Sequence, residues 1–125
     1  MAHSYIHAVS SARRFGGKPE DYLPLHNWFD ATKAISADFR HRALRHHSEG
    51  IFLAEQIFGV TLLSRDGRPI PVRLIGEQHV REDFNGRIPS ALDWLRTIRA
   101  EPWMHVRQTE TPTEAIYDEL VRKGG

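Results

Sequence analysis

The sequence predicts an α+β domain that is mainly α: a compact helical body with one β-hairpin near residues 60–75, followed by a C-terminal helical tail. Three observations predict it. Apolar residues recur at helical spacing along most of the chain. A single Asp66-Gly67 step separates two apolar runs of strand character. The polar run 109–114 reads as a linker, which sets a single domain over 1–108 apart from a short helix within 109–125.

The first helix is expected over 3–15, stopped by Gly16-Gly17. Tyr5, Ile6, Val9, Ala12 and Phe15 form its apolar side, with His3 and His7 one turn apart on a solvated face. Lys18-Pro19-Glu20-Asp21 starts a second helix over 22–35, with Pro24 tolerated in its first turn. Its stripe is Leu25, Trp28, Phe29, Thr32 and Ile35, and His26, Asp30 and Lys33 share a neighbouring face.

The third and longest helix is expected over 38–59, capped by Ser36 or Asp38 and stopped by Gly59. It compresses three histidines and three arginines into residues 40–47 and then turns apolar. At about 100° per residue, His47 falls in the middle of the apolar face with Arg40 beside it. His46 lies on the edge of that face, and His41 and Arg42 point to the wet side. A buried imidazole needs partners for two ring nitrogens, so His47 implies a group brought by another element. Gly50 on the same face implies close approach of a second helix, a metal or a ligand.

The hairpin is expected to pair 60–64 with 69–75, with Ile70, Val72 and Leu74 facing the core and the prolines marking an edge. A short helix over 76–84, ended by Asn85-Gly86, sets His79 and Asp83 one turn apart. Ile88-Pro89-Ser90 opens the last helix of the body, 91–99, with Leu92, Leu95 and Ile98 as a core stripe. Trp94 and Trp103 are expected as lids on that core. Beyond the linker, Thr113 caps an amphipathic segment over 115–122, a surface for its own domain or for a homo-oligomer.

Composition removes several classes of function. A net charge of +1 weighs against duplex nucleic acid and anionic membranes as partners. No run approaches the ~18 apolar residues of a membrane span, and the N-terminus lacks the apolar run of a signal peptide. A soluble, cytoplasmic protein is expected. There is no cysteine, so any transition-metal site must be built from histidine and carboxylate.

Such a site is the strongest chemical suggestion in the chain. His26 with Asp30, His46 with His47, and His79 with Asp83 place imidazoles on three separate elements, two of them with a carboxylate one turn away. These six residues are the expected metal ligands, for a divalent Zn, Mn, Fe or Ni ion. An ion there polarises a phosphoryl group or acidifies a bound water. Lys33, Arg40 and Arg42 are candidates to hold the phosphate oxygens of an anionic small molecule such as a nucleotide. This predicts a metal-dependent hydrolase of phosphohydrolase type. The same residues also support a metal-free pocket that sequesters an anion or binds a partner protein. They equally support a structural module whose histidines satisfy one another. No His-Glu-x-x-His, Gly-rich phosphate loop or serine elbow decides among these.

Four segments together resemble an uncharacterised domain family found in bacteriophage and bacterial genomes. They are His-Asn-Trp-Phe-Asp-Ala-Thr-Lys (26–33), Asp-Phe-Arg-His-Arg-Ala-Leu-Arg-His-His-Ser-Glu-Gly-Ile (38–51), Val-Arg-Leu-Ile-Gly-Glu-Gln-His-Val (72–80) and Ile-Pro-Ser-Ala-Leu-Asp-Trp-Leu (88–95). The resemblance implies a small phage-type accessory protein and assigns no role to any residue. A fainter likeness is to the HD-type metal phosphohydrolases, helical proteins that use His and Asp around a metal. This chain departs from their pattern in having no adjacent His-Asp pair, so that likeness is one of chemistry alone.

Overall fold

Helix α1 (Ser4–Phe15) ends where Gly16 and Gly17 take positive φ. Tyr22 donates its hydroxyl to the Gly16 carbonyl at 2.6 Å, which fixes the turn into α2 (Pro19–Asp30). Pro19 sits at the first helical position, where its missing N–H costs nothing, and Asp21 accepts from the Lys18 N–H at 3.0 Å. The computed structural model describes residues 3–105. The expected linker, the helix over 115–122 and the boundary at 108 lie outside the described residues.

The inward face of α1 is not the expected apolar one. Tyr5 and Ile6 are 50% and 58% exposed, whereas His7, Ala8 and Ser11 are buried. A polar stripe turns inward because its partners, His26 on α2 and Gln78 and Glu82 further along the chain, wait there. After Asp30 the chain tightens into a 3-10 turn, Ala31–Ala34, so the second helix stops short of residue 35.

The expected long helix over 38–59 is broken in two. A 3-10 turn, Phe39–His41, capped by Asp38, leads into a single turn of helix α3 (Arg42–Arg45). His46 (ψ 70°) and His47 (φ −162°, ψ 171°) leave helical conformation, and α4 (Ser48–Phe58) begins afresh. Two features hold the corner. His47 caps α4, its Nδ1 accepting from the Gly50 N–H at 3.0 Å, and the missing Cβ of Gly50 admits the Arg45 carbonyl. With the helix interrupted, Phe39, Leu44 and Ile57 face outward at 63%, 49% and 54% exposure rather than forming one apolar side.

Strands β1 (Thr61–Leu63) and β2 (Pro69–Pro71) pair antiparallel, with Leu62 opposite Ile70. The second strand ends earlier than expected, because Val72 already opens α5 (Val72–Asp83). The Val72 N–H still bonds the Val60 carbonyl at 2.9 Å. From there Val72, Ile75, Gly76, His79 and Val80 recur at helical spacing and are all buried. The short alternation Ile70, Val72, Leu74 overlapped this longer period. α5 lies against α1, α2 and α4, and at Gly76 a Cβ would come within 3.2 Å of Ile51 and 3.3 Å of Phe29.

Ser90 and Asp93 cap one another at the start of α6 (Ala91–Leu95). This helix is shorter than expected, and its predicted core stripe is exposed: Leu92 51%, Leu95 57% and Ile98 57%. Trp103 is likewise exposed, while Trp94 packs 5.9 Å from the Phe84 ring. No helix among the described residues is long and apolar enough to cross a membrane.

Candidate metal centre

Three segments converge beneath α1. Asp30 comes from the last turn of α2, His46 from the break between α3 and α4, and His79 with Asp83 from successive turns of α5. The break is fastened from both sides. Arg45 donates to the Trp28 carbonyl at 2.6 Å and lies over the Trp28 ring. Trp94 donates to the His46 carbonyl at 3.2 Å, and the Ser48 N–H to the Pro89 carbonyl at 2.9 Å. Phe29 stacks on the His79 ring at 4.8 Å between centroids and holds it in place.

Each of the four residues aims one donor atom at a common point, and all four atoms lie within 4.8 Å of one another. His46 Nε2 is 3.1 Å from His79 Nε2, 3.4 Å from Asp30 Oδ1 and 3.1 Å from Asp83 Oδ2. His79 Nε2 is 3.3 Å from Asp30 Oδ1 and 3.4 Å from Asp83 Oδ2. A tetrahedral ion bonded at about 2.0–2.1 Å sets donor–donor edges of about 3.3–3.4 Å. Both imidazoles are fully buried, and the carboxylates are 7% and 4% exposed.

Each carboxylate presents one oxygen to this point and uses the other outward. Asp30 Oδ2 accepts from the Ser4 hydroxyl at 2.9 Å and lies 3.9 Å from Lys33 Nζ. Asp83 Oδ1 lies 3.3 Å from His7 Nε2 and 3.6 Å from the Arg42 guanidinium. Burial alone would raise both carboxyls. The His46 and His79 imidazoles and the Ser4 hydroxyl outweigh it at Asp30, and the His46, His7 and His79 imidazoles at Asp83, so in the ion-free centre both sit well below the usual carboxylate range.

Behind His79 runs a chain of hydrogen bonds. His79 Nδ1 meets His26 Nδ1 at 2.9 Å, His26 Nε2 meets the Ser11 hydroxyl at 2.7 Å, and Ser11 donates to Gln78 Oε1 at 2.9 Å. The Gln78 amide donates to the His7 carbonyl and to Glu82. Every proton in this chain has one consistent place if His79 keeps Nε2 bare. Its Nδ1–H then donates to His26, whose Nε2–H donates to Ser11. Burial, then the neighbouring His79 and His7 rings, push the His26 imidazole down to about 2, so it is neutral. His7 is the opposite case. Burial works against its charge, but Asp83 and Glu82 outweigh that and raise it above the ordinary imidazole value.

Of the six expected ligands, Asp30, His46, His79 and Asp83 thus come together, and His26 stands directly behind His79. His47 does not join them. It caps α4, with Nδ1 on the Gly50 N–H and Nε2 3.1 Å from the Ala43 carbonyl, because the helix on which it was placed breaks at that residue. The expected anion grips also separate. Lys33 borders Asp30, whereas Arg42 is folded against Asp83 and Phe84. Arg40 is 74% exposed and pairs with Asp38.

The inward roles of His7, Ser11, Gln78 and His41 were not foreseen. His41, expected on the wet side, is 1% exposed and bonds Thr32 Oγ1 at 2.9 Å. One signal was available: Ser4, His7 and Ser11 fall at i, i+3 and i+7 of α1, a single polar stripe.

No curated protein and no solved structure matches this chain. A family model described as "Domain of unknown function (DUF6915)" matches residues 2–104, and the chain belongs to that family.

Proposed function

We propose that this domain binds one divalent transition-metal ion through His46 Nε2, His79 Nε2, Asp30 Oδ1 and Asp83 Oδ2. The ion ties α2, the α3–α4 corner and α5 together. The observation that supports this most is the set of five donor–donor distances between 3.1 and 3.4 Å. Two buried carboxylates are expensive without a cation, and their two negative charges match a divalent ion. A tetrahedral site of two imidazoles and two carboxylates favours zinc over manganese, which prefers octahedral oxygen, and over nickel, which prefers square geometry. Four protein donors and near-complete burial are the pattern of a closed, structural site. Elemental analysis of the purified protein tests this, with cobalt substitution as the spectroscopic check. One equivalent of metal and the intense visible bands of tetrahedral cobalt are expected. Fully folded protein that takes up neither ion overturns the proposal.

One observation favours a second, catalytic reading. Asp30 borders a surface cleft of about 560 Å³ that Ser4, Asn27 and Lys33 also line. A zinc ion can expand to five ligands, and a phosphoryl oxygen entering there would meet the ion with Lys33 beside it. The corresponding activity is hydrolysis of a phosphorylated small molecule such as a nucleotide. The test is release of inorganic phosphate from a nucleotide panel by zinc-loaded protein. Turnover weakened by Lys33→Ala supports it, and no turnover leaves the structural role alone.

A further inference from the structure

Among the described residues, no hydrogen-bond chain like the one behind His79 stands behind His46. Among the described residues, four buried side-chain polar atoms lack a hydrogen-bond partner: His7 Nε2, His41 Nε2, Arg42 Nε and His46 Nδ1. The first faces Asp83 Oδ1 at 3.3 Å. Arg42 Nε can only donate. The other two belong to neighbouring rings, His41 and His46, perpendicular to one another with centroids 5.3 Å apart.

Their proton roles follow from their other contacts. Thr32 Oγ1 lies 2.9 Å from His41 Nδ1, 3.2 Å from the His41 carbonyl and 3.4 Å from the Phe29 carbonyl. When the hydroxyl gives its one proton to a carbonyl it accepts from His41 Nδ1–H, and Nε2 is then a bare lone pair. His46 is the complement. With Nε2 committed to an ion, its hydrogen sits on Nδ1 and needs an acceptor.

We propose that His41 is the positioning residue for the metal ligand His46, its Nε2 taking the His46 Nδ1–H through one buried water. This rests on the metal-binding reading above. Each ligand imidazole is then backed by a second histidine whose tautomer is set by a hydroxyl: His79 by His26 and Ser11, His46 by His41 and Thr32. Outer partners of this kind orient a ligand ring and raise its basicity, and removing one typically weakens metal binding by about 10–100-fold. The arrangement also explains a buried histidine that neither coordinates nor reaches the surface cleft.

The test compares cobalt affinity and visible spectrum across wild type, His41→Leu and His41→Gln. Leucine keeps bulk but accepts nothing, whereas the glutamine carbonyl can accept. The expected result is a loss of about 10–100-fold in His41→Leu with a shifted cobalt band, and recovery to within a few-fold in His41→Gln. Wild-type affinity in a folded His41→Leu overturns the inference while leaving the metal centre standing. A wild-type protein that binds no cobalt overturns both. Should His41→Leu not fold, nitrogen-15 imidazole correlations of zinc-loaded wild type decide. Protonation of His46 and His41 on Nδ1 is expected, and a proton on His41 Nε2 would refute the inference.

Discussion

His46 Nε2 and His79 Nε2 face each other at 3.1 Å from positions 33 residues apart in the chain. Two neutral imidazoles can share at most one proton across that gap, yet both nitrogens also crowd Asp30 Oδ1 and Asp83 Oδ2. One proton cannot satisfy four lone pairs, whereas one cation can. His79→Ala is therefore expected to abolish stoichiometric metal, with a loss larger than the roughly 10–100-fold that outer partners cost. Arg40→Ala, whose guanidinium pairs with Asp38 on the surface, should leave metal content intact and stability within about 0.5 kcal/mol. Elemental analysis of the two variants checks this. Metal retained by His79→Ala would be incompatible with the proposed ligand set.

Gly50 makes the site's geometry depend on a backbone contact. A Cβ there would lie 1.9 Å from the Arg45 carbonyl oxygen, and a main-chain atom cannot rotate aside. Gly50→Ala must open the corner that carries His46. The expected cost is about 3 kcal/mol together with lost metal. At Gly76→Ala the nearest atoms are side-chain atoms of Ile51 and Phe29, at 3.2 and 3.3 Å, and the change should cost about 1 kcal/mol. Urea denaturation of both variants gives the comparison, and a Gly50→Ala protein as stable as wild type would sink the argument.

That corner also marks where the sequence stopped being legible. The mainly helical class, the hairpin and the Asn85-Gly86 stop follow from spacing and turn chemistry, and the structure has them. Asp30, His79 and Asp83 were readable because each has its neighbour one helical turn away. His46 was readable as a histidine near an apolar face but not in its true direction. Angular placement assumes an unbroken helix, and the break is set by a tertiary contact, Arg45 on Trp28, that periodicity cannot contain. His47, ideally inward on a straight helix, became a cap for the same reason. The inward stripe of α1 was missed differently. Ser4, His7 and Ser11 look solvated until α2 and α5 supply Asp30, His26, Gln78 and Glu82 as partners.

Ser11 tests the outer chain. Its hydroxyl joins His26 Nε2 at 2.7 Å to Gln78 Oε1 at 2.9 Å, with no exposure. Ser11→Ala strands a buried donor and a buried acceptor, which should cost about 1–3 kcal/mol and loosen metal binding about tenfold. Ser10→Ala, which removes an exposed bond to Glu82, should change stability by less than about 0.5 kcal/mol. Thermal denaturation and metal competition measure the pair. Equal, small effects in both would mean that the relay does not set the His79 tautomer.

The titration of the buried rings predicts a pH profile for the metal-free protein. His26 has an unfolded pKa of about 6.5 and a folded one lowered to about 2. Between those values the unfolded chain binds the extra proton, so stability falls as pH drops below about 6.5, by up to about 1.4 kcal/mol per unit. His41 and His47, also lowered chiefly by burial, act in the same direction. Asp30 and Asp83 are depressed, so their contribution is whole above about pH 4 and is lost only below it. His7 is raised, so its contribution is whole below about pH 6.5 and is lost as pH climbs through its folded value. One ring thus opposes three, and the acid side should be the steeper. Urea denaturation of chelator-treated protein from about pH 5 to about pH 8 should show a maximum near neutrality with more than one proton taken up on acid unfolding. A flat profile between about pH 7 and pH 5 would mean that these imidazoles accept protons without unfolding the domain, and that the cluster is open to water.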